Sequence, residues 1–129
     1  MTDSALREFV RRRADYRCEY RLLSQDDSVL AHHIEHIVAK QHGGADDAGN
    51  LALACHRCNL QKGPNLTGMD QASGEIARLF HPRRDRWADH FLVRGARIEG
   101  LIAVGRATVE VLAMNDARRI ELRSEILGR

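Results

Sequence analysis

Residues His32–Asn65 read HHIEHIVAKQHGGADDAGNLALACHRCNLQKGPN, and this stretch decides the fold. His42–Gly49 holds three glycines and two acids in eight positions, the composition of a loop. On one side lies Val29–Val38, a strand candidate that runs into the His-rich segment. On the other, Leu51–Ala54 is a short apolar strand, and His56–Lys62 a short helix closed by Gly63-Pro64. The order is strand, loop, strand, helix.

In an extended chain His33 and Glu35 point to one face, and His32, Ile34 and His36 to the other. A bend after His36 can turn the adjacent Glu35 and His36 toward one centre. A carboxylate beside an imidazole supplies a hard oxygen ligand for a divalent ion and a base that titrates near neutrality. Phosphodiester hydrolysis needs both functions, one to activate water and one to neutralise charge on the phosphate.

Outward from this centre, Leu6, Phe9 and Val10 repeat at helical spacing after Asp3 and Ser4, so a helix is expected over about 3–14. Ser24–Ser28 is polar turn material. Beyond the centre, Thr67–Gly74 reads as a turn-rich connection and Ile76–Phe80 as a strand. Pro82 can open a short helix with Trp87 and Phe91 packed at i, i+4. Arg97–Ile102 reads as a strand, Arg106–Met114 as a helix, Asn115-Asp116 as a break and Ala117–Leu127 as a last helix. No internal repeat or linker divides the 129 residues, so a single domain over 1–129 is expected. Its parts are a core at about 29–65, the N-terminal helix and a C-terminal extension at about 66–129.

His36, thirteen residues, Asn50, eight residues and Asn59 resemble the signature of the HNH endonucleases, in the variant with Asn at the third position. The acid before the first His, Gly43-Gly44 in the loop, Asn50-Leu51 opening the second strand and Cys55-x-x-Cys58-Asn59-x-x-Lys62 on the helix are similar too. The likeness covers about residues 18–65, and the tail resembles bacterial members with a C-terminal extension.

The resemblance implies an α+β fold, a ββα-metal core with flanking helices and a small C-terminal α/β extension. It implies Glu35 and Asn59 as ligands of one Mg²⁺ or Mn²⁺, His36 as the general base and Asn50 as the residue that holds the loop. His33, on the face of Glu35, is a further ligand or a hydrogen-bond support. Lys62, Arg57, Arg83 and Arg84 are candidates for contact with DNA phosphate. The usual member has Asp before the catalytic His; Glu35 is one methylene longer. In zinc-stabilised members two Cys-x-x-Cys pairs hold one structural Zn²⁺. Here Cys18, Cys55 and Cys58 supply three sulfurs, and Arg21 stands where the fourth is expected.

The net charge of +2 is small, but eighteen of the twenty basic residues are arginine, six in Arg7–Arg21 and six in Arg78–Arg97. Arginine's planar fork suits phosphate, although such clusters also serve as plain solvated surface. No signal-like run or membrane-length apolar stretch occurs, and three cysteines make a poor disulfide framework, so a cytoplasmic protein is expected. The leading expectation is an endonuclease acting on DNA, with a homodimer or partner protein needed to cut both strands. The alternative is a non-catalytic zinc-knuckle module that binds nucleic acid. A redox role for Cys55-x-x-Cys58 lacks the βαβ context such motifs need.

Overall fold

Asp3 starts the first helix, α1 (Ser4–Arg13), by accepting a hydrogen bond from Leu6 N at 2.7 Å. The computed structural model describes residues 3–129. Leu6, Val10 and Ala14, four apart, form the stripe of α1 that packs on Ile34, Leu51 and Leu53. Phe9 lies at the edge of that stripe and is 51% exposed, with the Arg13 guanidinium over its ring at 5.2 Å. The expected apolar face is therefore narrower than the sequence suggested. Arg13 also donates to Ala48 O at 2.9 Å and Leu51 O at 2.7 Å, so it anchors the start of the second strand.

Strands β1 (His33–His36) and β2 (Leu51–Ala54) pair antiparallel, with His33 opposite Ala54 and His36 opposite Leu51. The strand expected from Val29 begins only at His33. Upstream, Ser24 caps a single 3₁₀ turn, Gln25–Asp27, and Gln25 Oε1 accepts from His32 N at 2.6 Å. These side-chain bonds take the place of a ladder, and Val29 and Leu30 are left exposed. Helix α2 (His56–Lys62) follows β2, with Cys55 as its cap and Gly63, at φ +50°, ending it. Ala52 and Ala54 share a face with Glu35 and His33 by strand alternation, and their small side chains let α2 lie against the hairpin. Strand, strand and helix make the ββα core, and the fold is α+β.

The chain divides into two compact units, Met1–Pro64 with His81–Arg84, and Asn65–Phe80 with Asp85–Arg129. The second is built from two hairpins, β3 (Thr67–Met69) with β4 (Ile76–Arg78) and β5 (Phe91–Arg94) with β6 (Arg97–Gly100). Helix α4 (Ala103–Val111) packs on both. Its Thr108 accepts from Phe80 N at 2.8 Å, and its Arg106 grips the fully buried Asp70 through two bonds of 2.8 and 3.0 Å. Helix α3 (Trp87–His90) is shorter than expected and starts at Trp87 rather than Pro82; Phe91 stacks on Trp87 but already belongs to β5. Helix α5 (Ala117–Leu127) starts on the cap Asp116, where the break was expected. No helix among the described residues is long and apolar enough to cross a membrane.

Candidate active site

Asn50 holds the loop between the two strands shut. Its Oδ1 accepts from Val38 N at 2.9 Å, and its Nδ2 donates to Val38 O at 2.9 Å and Ala45 O at 2.8 Å. The backbone adds Ile37 N to Asn50 O at 2.8 Å. Gly44 is required beneath this clasp, because a Cβ there would sit 1.7 Å from Val38 O and 2.8 Å from Asn50 Nδ2. Asn50→Asp replaces two donated hydrogens by lone pairs facing Val38 O and Ala45 O. It should cost about 2–3 kcal/mol of stability in denaturant unfolding. A change below about 1 kcal/mol would show that the clasp does not hold the loop.

The clasp brings His36, the last residue of β1, beside an open cleft of about 360 Å³ lined by Glu35, His36, Ala39, Lys40, Asn59, Gly63 and Pro64. Glu35, His36 and Asn59, from β1 and α2, thus border one cleft and bring a carboxylate, an imidazole and an amide to it, with both Glu35 oxygens buried behind its surface. This donor set fits a hard divalent cation that keeps part of its water shell. His36 Nε2 lies 2.9 Å from Asp46 Oδ1, a partner the sequence reading passed over as loop composition.

Glu35 is 6% exposed and is held from within the core. Lys62 Nζ lies 2.6 Å from its Oε1 and donates to Ile37 O at 2.9 Å, and the buried Tyr20 hydroxyl lies beside the same carboxylate. Burial pushes the Glu35 carboxyl above its ordinary value, while Lys62, Tyr20 and His36 act in the opposite sense. Lys62, expected at phosphate, is 2% exposed, and its ammonium is spent on this pair. His33 points its Nε2 at His56 Nδ1, 3.1 Å away. His56 had no partner pattern in the sequence. Arg83 pairs with Glu19, whose other oxygen accepts from Leu53 N at 2.8 Å. Arg57 is half-buried and Arg84 exposed.

Cys18, Cys55 and Cys58 come together with their sulfurs within 4.8 Å of one another, all at most 1% exposed. A tight knuckle delivers Cys18, whose N donates to Leu23 O at 2.8 Å and whose O accepts from Leu22 N at 2.8 Å. Arg21, at the end of that knuckle, turns its Nε onto Cys55 Sγ at 3.0 Å. Burial pushes the Cys18 thiol up to about 11 and raises Cys58 as well. Cys55 is held well below the ordinary thiol value by hydrogen bonds from Cys18 and Cys58 and by the Arg21 cation. The three sulfurs could hold a metal ion, with a guanidinium where a fourth ligand would stand.

Residues 17–65 match the family model described as HNH endonuclease. Over that span the chain is similar to an HNH endonuclease domain. No curated protein and no solved structure matches the chain. HNH proteins are generally nucleases, and the matched span contains β1, β2, α2, the cleft lined by Glu35, His36 and Asn59, and all three cysteines.

Proposed function

We propose that this protein is a metal-dependent HNH endonuclease that hydrolyses DNA phosphodiester bonds, with His36 as general base. The observation that carries the reading is the single cleft shared by Glu35, His36 and Asn59. Glu35 and Asn59 would hold a Mg²⁺ or Mn²⁺ ion, which when bound neutralises charge on the phosphate and the departing oxygen. His36 takes a proton from water as the water oxygen attacks phosphorus; the bond to the 3′ oxygen breaks, and that oxygen is protonated from solvent. Asn50 acts at a distance by fixing the loop that follows His36. Arg57 and Arg84 remain the candidates for phosphate contact, whereas Lys62 is paired with Glu35 and Arg83 with Glu19. One such site cuts one strand, so a double-strand break requires two copies, a second encounter or another protein. Supercoiled plasmid should be nicked in Mg²⁺ or Mn²⁺ and spared in EDTA; folded protein that leaves plasmid intact in every divalent ion overturns the reading.

The cysteine cluster belongs to the scaffold. We propose that the Arg21–Cys55 pair closes the knuckle without zinc, the guanidinium Nε lying 3.0 Å from Cys55 Sγ at the position where a fourth cysteine is expected. Chelator-treated protein should then keep its far-UV spectrum and melting temperature. Arg21→Cys completes four sulfurs and should acquire about one tightly held zinc per chain, with a melt that has become chelator-sensitive. Wild-type protein that unfolds when stripped of a stoichiometric zinc would show the opposite arrangement.

A further inference from the structure

His36 has two ring nitrogens, and only one can take a proton from water. Asp46 Oδ1 lies 2.9 Å from Nε2, with the two side chains 23% and 24% exposed on the histidine and aspartate sides. An ionised carboxylate only accepts, so Nε2 must carry the hydrogen, and in the neutral ring the lone pair is left on Nδ1. A surface pair at this exposure adds little to stability. Its consequence is directional: it fixes ring rotation and tautomer together.

The loop makes Asp46 able to do this. The residue before it, Ala45, is tied by its carbonyl to Asn50 Nδ2 at 2.8 Å. The residue after it, Asp47, turns its side chain back onto Gly49 N at 3.0 Å and its carbonyl onto Asn50 N at 3.0 Å. Two residues earlier, Gly44 N donates to Ala39 O at 3.1 Å, across the neck of the loop. Asp46 is thus delivered from a segment anchored on both sides, to a histidine that ends a paired strand.

We propose that Asp46 is a positioning residue for His36, making Nδ1 the atom that accepts the proton. This rests on the nuclease reading, and it assigns the glycine-rich loop a task beyond connecting two strands. The arrangement has the logic of a carboxylate that orients a catalytic imidazole without itself taking up the proton. Asp46 would touch neither DNA nor metal, so its effect must pass through the ring of His36.

The test has two arms. In metal-free protein, the His36 ring proton should appear as a slowly exchanging Nε2–H resonance in ¹⁵N-edited NMR, and it should be lost to exchange in Asp46→Ala. In the plasmid assay Asp46→Ala should lower kcat about 10²-fold with KM within about twofold. Asp46→Asn, the same shape, can also donate to Nε2 and so favour the wrong tautomer; it should be at least as slow as Asp46→Ala. A His36 resonance indifferent to Asp46→Ala, or KM rising with kcat unmoved, overturns the proposal. A resonance that responds to Asp46 in a protein that cuts no DNA overturns the nuclease reading and leaves the orienting pair in place.

Discussion

His36→Ala is expected to lower metal-dependent nicking of supercoiled DNA by about 10²–10⁴-fold, the contribution of a positioned general base. The fold should survive the change. His36 ends β1 with its side chain about a quarter exposed, and its ring bonds the partly exposed Asp46. The loss of stability should therefore stay near or below about 1 kcal/mol. Glu35, Asn59 and the arginines are untouched, so DNA affinity and divalent-ion binding should be retained while kcat falls. This separates loss of chemistry from loss of structure: a melt close to wild type, a gel shift close to wild type and almost no nicked product. A variant that nicks at the wild-type rate, once contaminating nuclease is excluded by column co-elution, would remove His36 from the mechanism.

The parts of this site that were legible in the sequence are those fixed by local rules. The helix cap at Cys55 and the stop at Gly63 are set by neighbours within a few positions, whereas the Asn50 clasp reaches Val38 twelve residues away and was expected only from the likeness to the HNH signature. The meeting of Glu35 and His36 at one cleft follows from β1 ending at His36. What the sequence hid are destinations of long or flexible side chains. Lys62 sits on a helix surface by pattern, yet it reaches back to Glu35 and Ile37 across the hairpin. Asp46 and Asp47 are alike as loop acids, but one turns to His36 and the other to its own backbone. In the second unit β3 lies within Thr67–Gly74, which by sequence reads as a turn-rich connection, and Gly68 stands at its centre. That glycine is there for close approach, since a Cβ would come within 2.4 Å of Val111 Cγ2. No periodicity rule carries that information.

Lys62→Met is expected to be the most destabilising single change near the cleft. The ammonium and the Glu35 carboxylate are 2.6 Å apart with side chains only 3% and 5% exposed, and Ile37 O takes a further bond from Nζ. Removing the cation strands a charge in the interior, at a cost of about 3–5 kcal/mol. The buried carboxylate can relieve this in two ways, by taking up a proton or by holding another cation. Mg²⁺ or Mn²⁺ should therefore raise the melting temperature of Lys62→Met more than that of wild type. Glu35→Gln combined with Lys62→Met removes both charges, and its stability should return to within about 1–2 kcal/mol of wild type. That double variant should still fail to nick DNA, because the carboxylate proposed to hold the ion is gone. A single variant that melts like wild type but binds DNA more weakly would put Lys62 on phosphate instead and break the link between Glu35 and the core. Restored stability without restored cleavage is the pattern that identifies the pair as the support of a catalytic ligand.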